Sequence, residues 1–239
     1  MTVERTPVSR KIVILATLLM LSTGSRGAFA ADDLNKVLAA LDASAAMFKS
    51  AQADISWDHE QVQPVPDSEV QVGTVLFERK SGQVQMALHI KTDNGKPILK
   101  DLVYAGGTGK LYDHQLKQVE VFQVGDKQSQ LDAFLTLGFG GSGKDLQKNW
   151  TVTYAGTESV GGISAAKLQL IPRDASVAKT TPKVLLWIDV AKGVALKQQR
   201  FEPSGDFVLL TYTNLHLNGP VPSGSFDLKT PPGTQVVNH

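Results

Sequence analysis

The spacing of apolar residues changes character twice along this chain. Ile12 to Leu21 is a run of ten residues, apolar but for Thr17, preceded by Arg5, Arg10 and Lys11 and followed by a polar stretch ending Ala28-Phe29-Ala30. Next, Leu34, Val37, Leu38, Leu41, Ala45 and Phe48 recur at helical spacing behind Asp32 and Asp33, either of which can cap free backbone N–H groups. This predicts an amphipathic helix of about four turns. From Ile55 and Trp57 onward the period falls to two. In Gly73-Thr-Val-Leu-Phe-Glu-Arg79 the side chains of Val75, Phe77 and Arg79 share one face of a strand.

Alternating or β-branched runs continue at Val84-Met86-Leu88-Ile90, Leu99 to Tyr104, Val119 to Val124, Trp150-Val152-Tyr154, Leu168-Leu170, Val184 to Val190, Val194 to Phe201 and Phe207 to Thr213. Turn signals at Asn94-Gly95, Gly106-Gly107, Gly161-Gly162 and Ser204-Gly205 separate several of them. About ten antiparallel strands in quick succession predict a mainly β fold, a strongly curved sheet partly closed into a barrel. Ser129 to Leu137 interrupts the rhythm, because Leu131, Phe134, Leu135 and Leu137 fit a short helix better than a strand.

The N-terminal pattern is that of a secretory signal peptide cut after Ala30, leaving a single domain over 31–239. The apolar run is half of what spans a bilayer, although Arg26 beside the cut keeps a retained anchor as an alternative. The whole chain carries a formal charge of +1; losing Arg5, Arg10, Lys11, Arg26 and Glu4 brings it to −2. There is then no basic excess to attract nucleic acid. Cysteine is absent, so stability must come from the apolar core. The same absence excludes disulfides, thiolate metal sites, cysteine nucleophiles and a lipid-modified cysteine.

Candidate chemistry is sparse. Gly138-Phe-Gly-Gly-Ser-Gly143-Lys144-Asp145 nearly spells a phosphate-binding loop, but it follows an apparent helix, and Asp145 replaces the magnesium-binding hydroxyl. A helix stop and flexible connector is the simpler reading. The histidines His59, His89, His114, His216 and His239 are scattered, without metal-ligand spacing. No serine lies in a nucleophile-elbow context. Neither a cofactor nor a catalytic residue is expected.

What remains is apolar surface. If the sheet encloses a space, the inward candidates are Ile55, Trp57, Val75, Phe77, Met86, Leu88, Ile90, Trp150, Val152 and Tyr154, an ordinary packed core being the alternative for each. Arg79 stands apart, because a guanidinium on the Val75–Phe77 face needs hydrogen-bond partners or a route to water.

Gly73-Thr-Val-Leu-Phe-Glu-Arg79 resembles the glycine, alternating strand and arginine of the LolA family of outer-membrane lipoprotein carriers. Tyr112-Asp113 with Leu116-Lys-Gln118-Val119 resembles the family's next hairpin. Trp187-Ile-Asp189, Gln199 with Pro203-Ser-Gly205-Asp, and Phe226 with Pro231-Pro232-Gly233 and Val236 resemble its closing strands, in order. Lys80 departs from the proline that usually follows the arginine.

The resemblance implies an incomplete antiparallel barrel with helices forming a lid over a hydrophobic cavity that receives lipoprotein acyl chains. It assigns Arg79 as a latch holding the empty form closed. Ser129 to Phe139, with Leu131, Phe134, Leu135 and Phe139, becomes part of the lid, its glycines serving as a hinge. It further implies a periplasmic carrier, loaded by an inner-membrane lipoprotein-releasing ABC transporter and unloaded to an outer-membrane receptor or membrane; a monomer is expected, since transfer needs an exposed apolar rim. The alternatives are a lipid- or lipoprotein-sensing protein of the same fold, and an enzyme acting on lipid or cell wall.

Overall fold

The computed structural model describes residues 26–125 and 134–239. The expected signal segment, apart from its last five residues, and Leu131 of the expected lid lie outside the described residues.

The first helix, α1 (Arg26–Met47), begins upstream of the expected start. Asp32 and Asp33 therefore sit inside it and not at its cap, and Asp33 pairs instead with Lys36 at 3.6 Å. Ala28, Ala30 and Ala31 carry the strongest helix propensity and let the helix run through the expected cut site. Most of the predicted apolar stripe is buried: Val37, Leu38, Leu41, Ala45 and Phe48 are each less than a tenth exposed, while Leu34 is half-buried.

The strands that follow are β1 (Ser50–Gln61), β2 (Asp67–Lys80), β3 (Gln83–Asp93), β4 (Lys96–Ala105), β5 (Thr108–Asp113) and β6 (Gln118–Gln123). A short helix, α2 (Gly143–Asn149), leads into β7 (Trp150–Val160), β8 (Ile163–Pro172), β9 (Lys183–Asp189), β10 (Val194–Phe201), β11 (Phe207–Leu217) and β12 (Gln235–Asn238). They form one open twelve-stranded sheet in the order β12-β6-β5-β4-β3-β2-β1-β11-β10-β9-β8-β7. The hairpins at Asn94-Gly95, Gly106-Gly107 and Gly161-Gly162 place both turn residues at positive φ, which matches the right-handed twist of their strands.

The sheet departs from a purely antiparallel meander at one edge. β12 lies parallel to β6, Val236 opposite Val119, after the chain has returned from β11 on the other side of β1.

Curvature follows from which residues meet. Phe122 on β6 and Val184 on β9 are eight strand spacings apart, about 38 Å in a flat sheet, yet both line one cavity. Only a sheet curled toward closure does this, so the fold is an incomplete β-barrel. α1 covers the β7–β9 end of the concave face. There Leu168, Leu170, Leu186 and Ile188 are fully buried in the same apolar cluster as Val37 and Leu41.

Candidate functional site

On its concave face the curled sheet forms a partly open, mainly apolar cavity of about 500 Å3. Parity along β1, β2 and β3 directs Ile55, Trp57, Val75, Phe77, Met86 and Leu88 onto its wall. Phe134, Leu135 and Leu137, from the segment between β6 and α2, also line it. Six of the ten residues that alternation marks as inward thus meet on one surface, together with two of the expected lid residues.

The other four lie elsewhere. Ile90 is buried in the core but off the cavity wall, beside a break in β3–β4 register between Ile90 and Thr92. Trp150, Val152 and Tyr154 belong to β7, the strand α1 packs against. There the concave space is filled: Trp150 is core, touching Phe134 edge-on at 5.4 Å, while Val152 and Tyr154 pack around that core. The rest of the wall includes Leu102 and Tyr104 of β4, Phe122 of β6, Val184 of β9 and Val208, Leu210 and Tyr212 of β11. Val208, Leu210 and Tyr212 alternate along one strand, a period-two signal that sequence reading could have extended to the wall.

The glycine-rich segment is tightly packed, not a loose connector. Phe139 is fully buried, stacked on Phe77 at 5.1 Å between ring centres and edge-on to Tyr212 at 4.8 Å. It anchors this segment to the core and is no part of the cavity wall. A Cβ on Gly140 would lie 2.6 Å from the Phe48 ring, and one on Gly143 2.5 Å from the Leu38 carbonyl oxygen. The glycines are there for close approach.

Nor is phosphate offered a cradle. Ser142 caps α2 by accepting from the Asp145 N–H at 3.0 Å, the Asp145 carboxylate reaches back to Ser142, and Asp42 accepts from the Lys144 N–H. The helix start is occupied by the chain's own acceptors.

Arg79 joins this segment to α1. Its Nη1 donates to the Ala45 carbonyl at 2.7 Å, its Nη2 to the carbonyl of Gly140, and its guanidinium carbon lies 5.5 Å from the Phe48 ring centre. Partners for a charge on an apolar face are thus found in the last turn of the helix, where carbonyls lack intrahelical donors, and in the glycine-rich turn before α2.

Polar groups on the wall are few. Gln198 donates to the Leu137 carbonyl at 2.7 Å and to the Tyr212 hydroxyl at 3.2 Å. Burial pushes the Tyr212 phenol well above its ordinary range, so it stays neutral. Away from the cavity, scattered histidines do converge: the Asp101 carboxylate accepts from His89 at 2.7 Å and His114 at 2.8 Å. These groups are partly exposed to solvent and absent from the cavity wall. Among the described residues no group of three or more histidine or acidic side chains is arranged to hold a metal ion.

No protein-family model matches the sequence, and no curated protein does. Solved structures are similar. An uncharacterized conserved protein from Thermus thermophilus superposes with a TM-score of 0.53 at 11% identity, over 87% of this chain and 99% of its own. A LolA superfamily protein from Nitrosomonas europaea gives 0.40 at 14%, over 82% and 97%. A chain of the MucA/MucB complex of Pseudomonas aeruginosa gives 0.48 at 16%, over 82% of this chain but only 61% of its own length. At these identities the likeness is one of fold.

Proposed function

We propose that this chain is a periplasmic carrier that shields the acyl chains of lipoproteins and delivers them toward the outer membrane. One observation carries the reading: an apolar cavity of about 500 Å3 lies beneath a segment that Arg79 ties to α1. That volume falls within the roughly 300–1,000 Å3 of ligand-binding cavities. The order of LolA-like motifs along the sequence points the same way.

Physical need supports it. At about 0.8 kcal/mol per methylene, one sixteen-carbon chain in water is disfavoured by on the order of 12 kcal/mol, and a lipoprotein anchor carries two or three such chains. A carrier must cover that surface and still release it. Closure of the empty state competes with the ligand, and the Arg79 contacts supply such competition.

On this reading the protein acts by binding and not by covalent chemistry. Its partners are acylated lipoproteins, the inner-membrane ABC transporter that frees them, and an outer-membrane acceptor. Native mass spectrometry of protein purified from its own periplasm tests it. A bound acylated protein supports the carrier, bound free phospholipid with no acylated protein moves the function to general lipid transport, and persistent emptiness overturns both.

A further inference from the structure

The cavity wall carries one formal charge among its described residues, and it is not Arg79. Arg200 lines the cavity from β10, two residues beyond Gln198 on the same face. Its strand neighbours are Val184 on β9 and Val208 on β11, both on the cavity wall. The side chain is 38% exposed, so it borders both water and the apolar interior.

Placement along the strands separates the two arginines. The backbone N–H of Arg79 bonds to the carbonyl of Lys49, just before β1. Arg200 pairs with Val208, which pairs with His59 near the end of β1. The ten residues between these levels correspond to about 33 Å of strand, shortened by twist and curvature. The latch and the second arginine therefore belong to opposite ends of the barrel wall.

Among the described residues, Arg200 is only lightly engaged. Its ionic contact is Glu202, at 3.5 Å from Nη2, a partly exposed pair of the kind that contributes little. A guanidinium presents five N–H donors in a planar fork that matches an oxyanion. Such a group, at the boundary of an apolar cavity, fits the head of a molecule whose tail occupies that cavity.

We propose that the cavity also accepts free acyl amphiphiles headed by an oxyanion, carboxylate or phosphate, with the head paired to Arg200 and the chain laid along the apolar wall. The proposal rests on the reading of the cavity as an acyl-chain site and adds a ligand class to it. Glu202 acts as a placeholder that the incoming oxyanion displaces.

The test is displacement of the neutral fluorescent probe N-phenylnaphthylamine from the full chain by palmitate, lysophosphatidic acid and methyl palmitate. Methyl palmitate has the palmitate chain without the charge and measures the cavity alone. Palmitate, lysophosphatidic acid or both should bind about tenfold tighter than the ester, and which of them does so identifies the head group. Arg200→Met should bring the preferred oxyanion down to the ester's affinity, while Glu202→Gln should tighten its binding. Equal affinity for acid and ester in the parent protein, or an unchanged preference in Arg200→Met, overturns the inference and leaves the acyl-chain site standing. Failure of the ester and both acids to displace the probe overturns the acyl-chain site and the inference with it. Thermal melting of each variant shows that it is folded.

Discussion

The guanidinium of Arg79 donates to the carbonyl oxygen of Ala45 across 2.7 Å, fastening the end of β2 to the last turn of α1. Its second nitrogen donates to the Gly140 carbonyl, so a single side chain ties helix, sheet and the glycine-rich turn before α2 together. Arg79→Leu leaves both carbonyls without this donor and should destabilise the empty protein by about 2 kcal/mol. For a chain of this size that lowers the melting temperature by roughly 4–8 °C. Because the loss falls on the closed empty state, a bound acyl ligand should be retained more strongly, by up to about thirtyfold. Transfer of a labelled acyl ligand to acceptor vesicles measures this. Release as fast as in the parent protein would end the idea of a latch.

The glycines between the lid and α2 should tolerate no side chain. Gly140 has φ +78 and the Phe48 ring 2.6 Å from where a Cβ would stand; Gly143 has the Leu38 carbonyl oxygen at 2.5 Å. The Phe48 ring or the turn must move in Gly140→Ala, and helix backbone in Gly143→Ala, at about 2 kcal/mol or more each. Gly219 has open space around it and no positive φ, so Gly219→Ala should be neutral or slightly stabilising. Denaturant titration of the three variants checks the contrast, and equal midpoints would contradict the close packing.

Filling the cavity should separate binding from folding. Val208 lines the cavity from β11 and lies across the strand pair from Arg200. A tryptophan there has space to enter on the cavity side, so Val208→Trp should keep the melting temperature within a few degrees of the parent value. Displacement of N-phenylnaphthylamine by methyl palmitate should weaken by tenfold or more. Unchanged affinity would mean that the chain binds elsewhere.

Much of this architecture is visible in the spacing of residues, and the exceptions have physical causes. Val75, Phe77 and Arg79 share a face because strand side chains alternate, and that parity alone places Arg79 beside buried apolar residues. Its partners, Ala45 and Gly140, are 34 and 61 positions away, a relationship no local pattern encodes. β5 is hard to see because Gly109 and Lys110 interrupt its alternation, while the four-residue β12 gains definition only from its parallel partner β6. Trp150, Val152 and Tyr154 alternate as convincingly as any cavity residue. What removes them from the wall is α1, and alternation reports a buried face without saying whether a helix or empty space lies over it.

The Asp101 cluster gives a pH dependence of definite sign. Burial raises the Asp101 pKa, but hydrogen bonds and charge from His89 and His114 outweigh it and hold the carboxyl below its ordinary value of 3.8. A depressed carboxyl adds stability that is fully present above its unfolded-state pKa and is lost as the pH falls through the lower folded value. Partial exposure screens the interaction, so the contribution should be less than about 1 kcal/mol. Asp101→Asn should therefore be slightly less stable than the parent protein at pH 5–7. The two stability curves should converge only below pH 3.8, once the parent carboxyl takes up its proton. Urea titrations at half-unit pH steps resolve this, and a gap that persists through the acid range would show that Asp101 contributes through packing instead of charge.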